Sequence, residues 1–330
     1  MRETATPVLS VIVPMFNEAS NVDALFARLV PVVEGLRQPY EIICVDDGSR
    51  DDTLARLVAL RERYPALKVV ALSRNFGKEI ALTAGLQHAT GRAAIPIDAD
   101  LQHPPEIIPR LVEKWREGFD VVYAVRKSRD TDSFLRRLSA SGFYWIFERL
   151  SDVPLPKDAG DYRLLDRCVV DAINAMPERS RFMKGIFAWV GFRQTGVVYD
   201  VEPRREGASG WSARKLFHFA VDGLTSFSNF PLIAWGYVGA VIASTSLVAG
   251  GYFVLRTLVH GVDVPGYASL MVAVLFFGGV QLITLGIIGS YVGRIFQEVK
   301  RRPLYLVREK YGFAPAKDEP AQPPVRLSAP

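Results

Sequence analysis

The sequence predicts an α/β fold: a mainly parallel sheet flanked by helices, followed by interfacial helices and a two-helix transmembrane hairpin. Three patterns predict it. Short β-branched runs alternate with stretches of helical period through the N-terminal third, and polar residues gather immediately after those runs. Two later stretches, Gly223–Leu255 and Val264–Gly293, contain no Asp, Glu, Lys or Arg over 33 and 30 residues. Strands covered on both faces by intervening helices form parallel sheets, whose ligands lie beyond the carboxyl ends of the strands.

Val8–Pro14 (VLSVIVP) reads as the first strand, and Val22, Leu25, Leu29 and Val33 recur at helical spacing after the polar pair Asn17 and Glu18. The pattern repeats as strand Glu41–Val45, helix Asp51–Tyr64, strand Lys68–Leu72, helix Lys78–Ala89, strand Ala93–Ile97 and helix Pro105–Glu117. A further strand-like stretch covers Asp120–Val125. Four strand ends therefore bring Asn17 and Glu18, Asp46 and Asp47, Arg74 and Asn75, and Asp98 and Asp100 to one crevice.

Composition narrows the class further. With 330 residues, 49% of them hydrophobic, and 40 Lys and Arg against 35 Asp and Glu, the chain is neither disordered nor collagenous. Cys44 and Cys168 are its only cysteines, which excludes a disulfide scaffold and suits a reducing compartment.

Crossing a bilayer takes about 20 apolar residues. Leu232–Leu255 and Ala268–Gly293 read as spans, and Gly236, Gly239, Gly278, Gly279, Gly286 and Gly289 permit close helix contacts and homo-oligomerisation. The alternative, two buried helices of a soluble core, is opposed by the length of the charge-free runs. Arg214 and Lys215 precede the spans, and Arg294, Lys300, Arg301, Arg302, Arg308 and Lys310 follow, so both ends belong in the cytoplasm. Met1–Pro7 has no apolar core of a secretory signal. The expected organisation is a cytosolic domain over 1–210, an interfacial amphipathic helix over 211–231, two transmembrane helices over 232–294, and a cytosolic basic tail over 295–330 with a disordered end. Phe134–Leu150 reads as another interfacial helix. The expected location is the cytoplasmic (inner) membrane, with the soluble domain in the cytosol.

The strand ends carry carboxylates where a dinucleotide-binding sheet carries glycines, and no Gly-x-Gly occurs anywhere. Carboxylates repel a diphosphate unless a divalent cation lies between them. Asp98, Asp100 and Gln102 are spaced to offer oxygen ligands to one hard cation, Mg2+ or Mn2+.

VIVPMFNE (Val11–Glu18), VDDGS (Val45–Ser49), SRNFGKE (Ser73–Glu79) and DADLQHPPE (Asp98–Glu106), in order and each following a strand, resemble the family 2 inverting glycosyltransferases of GT-A fold. GDYRLLDR (Gly160–Arg167), RFMKGIFAWVGFRQ (Arg181–Gln194) and REGASGWS (Arg205–Ser212), ahead of two spans, extend the resemblance to the polyprenyl-phosphate glycosyltransferase branch. That branch includes bactoprenol glucosyltransferases and is related to dolichol-phosphate mannose synthases.

The resemblance implies transfer of a hexose, with inversion, from a nucleotide sugar to polyprenyl phosphate. Pro14, Phe16, Glu18, Val45 and Asp47 match positions that hold the donor nucleoside; Asp98, Ala99, Asp100 and Gln102 match the metal and diphosphate site. An anionic acceptor needs positioning more than deprotonation, so cationic clamps matter. Arg126, Arg136 and Arg137 are the acceptor-phosphate candidates, and Arg204 matches a loop Arg that reaches a phosphate. Gly210 stands where many members carry a loop Lys. Asp161 matches a site-lining Asp, as an acceptor-orienting group or a weak base. Glucose from a UDP donor is the reading by resemblance; mannose, galactose, N-acetylhexosamine and aminoarabinose-type donors are its alternatives. The implied partners are a nucleotide sugar, a polyprenyl phosphate lipid and the membrane, with no nucleic acid.

Plainer readings stand beside these. Asp46 and Asp47 also suit a turn with Gly48, and Arg74 and Lys78 read equally as diphosphate contacts or a solvated helix start. Arg136 and Arg137 read equally as a basic membrane-facing patch. His88 and His103 are structural or exposed, Cys44 is core, and Asp166 with Arg167 forms a local ion pair. A processive polysaccharide synthase would need more spans and a Gln-x-x-Arg-Trp motif. A non-catalytic membrane scaffold would keep the fold without the intact Asp47, Asp98, Asp100 and Gln102.

Overall fold

The computed structural model describes residues 7–126, 159–179, 181–199, 230–260 and 266–313. Along the chain these form β1 (Leu9–Met15), α1 (Val22–Gly35), β2 (Tyr40–Asp46), α2 (Thr53–Arg63), β3 (Leu67–Leu72), α3 (Lys78–His88) and β4 (Ala93–Pro96). A 3-10 turn (Pro105–Ile107) leads into α4 (Ile108–Arg116), β5 (Val121–Arg126), β6 (Ala159–Asp166), α5 (Arg167–Ala175), α6 (Met183–Trp189) and β7 (Gln194–Tyr199). Two long helices, α7 (Phe230–His260) and α8 (Tyr267–Val299), precede β8 (Val307–Tyr311). The elements gather into two units, Met1–Leu101 with Tyr305–Pro330, and Gln102–Leu304.

In the first unit the strands stand in the order β4-β1-β2-β3-β8. The first four run parallel, and β8 closes the β3 edge antiparallel. Consecutive residues of β1 and β2, including Val11, Ile12 and Val13 and Ile42, Ile43, Cys44 and Val45, are fully buried. That two-sided burial is why these strands read as continuous apolar runs instead of alternating ones. α1 buries Val22, Leu25, Phe26, Leu29, Val30 and Val33 along one stripe, each large side chain contributing about 1.5–3 kcal/mol of transfer free energy. α3 lies against β1 and β2 so closely that a Cβ at Gly85 would sit 2.2 Å from Ile12 Cγ2. The β1–β2 register runs from Leu9↔Tyr40 to Met15↔Asp46, so the two carboxyl ends finish level. The Ile97 amide continues past β4 by donating to Ile12 O at 2.9 Å.

At the amino ends of the same strands lies a polar lock that the sequence did not announce. Glu41, 3% exposed, accepts from Ser10 Oγ (2.5 Å), Thr90 N (2.7 Å), Thr90 Oγ1 (2.9 Å) and Lys68 Nζ (2.5 Å). Four donors on one carboxylate satisfy a charge that burial would otherwise penalise. They hold its pKa below the ordinary value against the opposing effect of burial. The segment returning from α8 fastens here as well: Tyr305 Oη donates to Gln87 Oε1 at 2.7 Å, and Phe313 meets the His88 ring edge-on at 5.5 Å. His88 is thus structural, as expected. β8 arises within the stretch read only as a basic tail.

In the second unit β5 pairs antiparallel with β6 and parallel with β7. The two antiparallel pairings, β3 with β8 and β5 with β6, qualify the mainly parallel sheet. Asp166 caps α5: its Oδ1 accepts from Cys168 N at 3.0 Å, and its Oδ2 accepts from Trp115 Nε1 at 2.7 Å. Arg167 reaches Asp171 one turn on, at 3.3 Å. An N-cap needs its side-chain oxygen at the helix start, which is where Asp166 stands.

α7 and α8 are 31 and 33 residues long, longer than the apolar runs they contain. Among the described residues, Phe276–Val299 is the segment long and apolar enough to cross a membrane. Large apolar side chains such as Leu282 and Leu285 are exposed along it. Glu298 Oε1, in its last turn, accepts from Arg179 N at 2.8 Å. The expected helix over 134–150 and the expected helix over 211–231 up to residue 229, with Arg136, Arg137 and Arg204 and the tail from 314, lie outside the described residues, while Phe230 and Pro231 already belong to α7.

Candidate active site

The carboxyl ends of β1 and β2 are laced together by their loops. Asn17 takes a left-handed φ of 55°, a conformation Asn tolerates better than most residues. Its amide donates to Ser49 Oγ at 3.0 Å, and its Oδ1 accepts from Arg50 N at 2.8 Å. Glu18 N donates to Thr53 Oγ1 at 2.9 Å, and that hydroxyl donates to Asp51 Oδ1 at 2.6 Å. The Glu18 side chain accepts from Asn21 Nδ2 at 2.6 Å. Above this lattice Phe16 is 41% exposed, an aromatic face left in solvent at a strand end, and Pro14 is half-buried. Val45, expected at the nucleoside, is fully buried, with its Cγ2 3.4 Å from a Cβ built on Gly85. Its side chain is therefore packed in the core, because Val45 still lies within β2, in a sheet covered on both faces.

Asp47 organises the next loop. Its Oδ1 accepts from Phe76 N at 2.7 Å and its Oδ2 from Gly77 N at 2.8 Å. A carboxylate thus sits where the chain enters α3, the end of a helix whose amides and dipole favour negative charge. Burial pushes Asp47 above the usual carboxylate range, the two amides counter it, and neighbouring Asp46 adds to the rise. Asp46 is raised by burial too, offset by Ser49, whose amide donates to Asp46 Oδ1 at 3.3 Å. The turn reading of Asp46 and the anchoring of Asp47 thus coexist. Gly48 makes this approach possible: its φ is +68°, and a Cβ there would lie 2.5 Å from Arg74 C and 2.7 Å from Asn75 N. Backbone presses on backbone at that point. Arg74 lays its guanidinium 4.0 Å over the Phe76 ring and donates to Asn75 O at 2.9 Å.

Lys78, the first residue of α3, reaches Asp98. Its Nζ lies 2.7 Å from Oδ1 and 2.9 Å from Oδ2. After β4, Ile97, Ala99 and Leu101 are buried while Asp98 and Asp100 are half-exposed, so the alternation turns both carboxylates away from the core. Leu101 adopts φ 58° at the end of this turn. Among the described residues no three His, Cys, Asp or Glu gather as a metal cluster. The expected set has two carboxylates and an amide, a hard-oxygen set that suits Mg2+ or Mn2+ with positions left for water and phosphate. Lys78 brings a positive charge to Asp98. Pro14, Phe16, Glu18, Asp47, Lys78, Asp98, Ala99 and Asp100 all belong to the first unit.

Gln102, Arg126 and Asp161 belong to the second unit. Gln102 is half-buried, Arg126 ends β5, and Asp161 is half-buried in β6. His103 is buried, its Nδ1 2.6 Å from Tyr199 Oη and its ring 5.3 Å from that of Tyr162. Tyr162 Oη donates to Pro104 O at 3.0 Å. The structural reading of His103 holds. Sequence reasoning missed the tyrosines because nothing in the spacing joins positions so far apart.

A mostly parallel α/β fold with acidic strand ends of this kind is GT-A-like, the architecture of sugar-nucleotide transferases. Residues 10–172 match the glycosyl transferase family 2 model. The chain is 55% identical over 92% of its length to a glycosyltransferase of Synechocystis, covering 96% of that protein. It is 45% identical over 92% of its length to the bactoprenol glucosyl transferase of Shigella phage SfX, covering 99% of it. Glucosyl-3-phosphoglycerate synthase of Mycobacterium tuberculosis, in complex with Mn2+ and UDP-glucose, matches with TM-score 0.43 and 18% identity, over 66% of this chain and 77% of that one. The chain belongs to glycosyl transferase family 2 and is a glycosyltransferase.

Proposed function

We propose that the protein transfers glucose from a UDP donor to a polyprenyl phosphate, with inversion, at the cytoplasmic face of the membrane. The carrying observation is the pair Asp98 and Asp100 beside a loop that Asp47 pins at the start of α3. The names of relatives such as the phage bactoprenol glucosyl transferase, matched over nearly their full length, support the sugar and the lipid. An oxygen of the acceptor phosphate attacks the anomeric carbon as the bond to the diphosphate breaks, and UDP leaves.

The residues divide this work. Phe16 offers its exposed ring to the uracil, with Pro14 and Glu18 beside it. Asp47 spends one lone pair of each oxygen on Phe76 and Gly77, and its remaining ones accept from base or ribose. Lys78 and Ala99 address the diphosphate. Asp98 and Asp100, with Gln102, would hold Mg2+ or Mn2+, which when bound supplies Lewis-acid neutralisation of the leaving diphosphate. On the matched motifs, Arg126, Arg136, Arg137 and Arg204 are assigned to the acceptor phosphate and Asp161 to acceptor orientation. α7 and α8 form the two spans, and they associate between copies. Among the described residues, a Cβ at Gly239, Gly278, Gly279, Gly286 or Gly289 would meet nothing within 4 Å, which suits a second copy's helix there.

Membranes containing the protein, incubated with radiolabelled UDP-glucose and undecaprenyl phosphate, should yield a labelled lipid. EDTA should abolish the product, and Mn2+ or Mg2+ should restore it. A donor panel that labels with another sugar corrects the sugar; no labelled lipid from any donor, or full activity in Asp100→Ala, refutes the reading.

A further inference from the structure

Two Lys–carboxylate pairs bracket the strands of the first unit, and they differ in kind. At the amino ends, Lys68 meets Glu41, whose side chain is 3% exposed and saturated by other donors. At the carboxyl ends, Lys78 meets Asp98 with side chains 45% and 27% exposed. The first is a lock. The second is a weak, solvent-screened pair of the sort whose partners exchange readily. Lys78 also stands in the first turn of α3, where the helix dipole disfavours a cation. Its ammonium is nevertheless held within 3 Å of both Asp98 oxygens, at 2.7 and 2.9 Å.

We infer that Lys78 is a built-in counter-ion of Asp98, which yields that carboxylate to an incoming divalent cation and turns to the diphosphate that the cation accompanies. The inference rests on the donor-site reading and adds a partner exchange to it. An ammonium and a divalent ion cannot share one carboxylate without strong repulsion. The four-carbon stem of Lys lets the charge swing without moving the backbone. Before the nucleotide arrives, the exchange keeps Asp98 neutralised and weakens cation binding; once it arrives, both positive charges face the diphosphate. Metal and nucleotide should therefore bind cooperatively, and Lys78 is the residue that makes them do so.

The test is Mn2+ binding to the full chain in detergent, followed by electron paramagnetic resonance, with and without UDP. Without UDP, Lys78→Met should bind Mn2+ about three- to tenfold more tightly than the unmodified protein, because a competing charge is gone. Lys78→Arg, which keeps the charge, should not tighten binding. UDP should bind Lys78→Met about tenfold more weakly in the presence of Mn2+, since a charged hydrogen bond to phosphate is lost. Asp98→Asn combined with Lys78→Met should erase the tightening, and Lys78→Gln serves as a second neutral variant with the same expectation. If Mn2+ binds the unmodified protein with UDP, but neither neutral variant tightens it without UDP, the exchange is overturned and the donor site stands. If Mn2+ fails to bind any variant even with UDP, the donor-site reading falls and the exchange with it.

Discussion

Replacing Asp47 by Asn tests the anchoring of the loop that begins α3. The native carboxylate accepts from two amides, Phe76 N at 2.7 Å and Gly77 N at 2.8 Å. Asn has one acceptor oxygen, so its amide NH2 must face the second N–H, donor against donor. Losing one charge-assisted bond and stranding a part-buried amide costs about 2 kcal/mol. That corresponds to about a 30-fold rise in the population of the opened loop. The global melting temperature is the poorer readout, because burial already raises the Asp47 pKa and removing the charge recovers part of that cost. Hydrogen exchange is the assay: the Phe76 or Gly77 amide should exchange about 30-fold faster, with peptides from β3 unchanged. The donor KM should rise in parallel. Exchange at both amides within about threefold of the native rate would refute the anchoring, since an opened loop of 2 kcal/mol cannot hide below that factor.

Glu41→Gln, which leaves Lys68 without its charge partner, should destabilise the fold by about 3 kcal/mol in urea unfolding; a loss under about 1 kcal/mol would contradict the lock. Because the folded pKa of Glu41 lies below the ordinary 4.5, its stabilisation is complete above that value and disappears as pH falls through the lowered one. Native stability should therefore drop more steeply below pH 4.5 than that of Glu41→Gln. Asp46 and Asp47 carry the opposite sign: with folded pKa values above 3.8, they add stability as pH falls from the raised values toward 3.8. Gly48→Ala should lower the melting temperature and weaken UDP binding in calorimetry, since left-handed backbone costs about 1–2 kcal/mol and the new methyl meets main chain at 2.5 Å. UDP affinity equal to the native value would show that this close approach does not shape the site. Cys168, pushed up to about 11 by partial burial and then by Asp166, should alkylate with iodoacetamide at a rate that climbs about tenfold per pH unit between 8 and 10, as thiolate does. A rate already level at pH 8 would refute that shift.

Much of the function was legible in linear order. The runs of β1 and β2 announce two-sided burial, and the polar residues that follow them are forced to the carboxyl ends by strand length alone. Acidic groups at three of the four ends, in place of glycines, already argued against a dinucleotide enzyme, and the motifs around them carried the resemblance to a sugar transferase. The long charge-free stretches announced helices whose apolar sides need lipid or a partner.

Tertiary structure decided what each of those residues does. Local sequence sees Asp47 as part of an Asp-Asp-Gly turn, whereas its amide partners come from a loop about 30 residues away that only the β2–β3 pairing brings near. Val45 and Asp47 sit two apart in one motif, yet one is core and the other binds a loop, because the strand ends between them. Glu41 looks like an ordinary strand-start glutamate until Ser10, Lys68 and Thr90 converge on it, and β8 exists only because the β3 edge has unpaired groups to satisfy. Periodicity is a property of neighbours along the chain; hydrogen-bond partners and charge pairs are set by which strands lie side by side, and that order is fixed by packing the whole sheet at once.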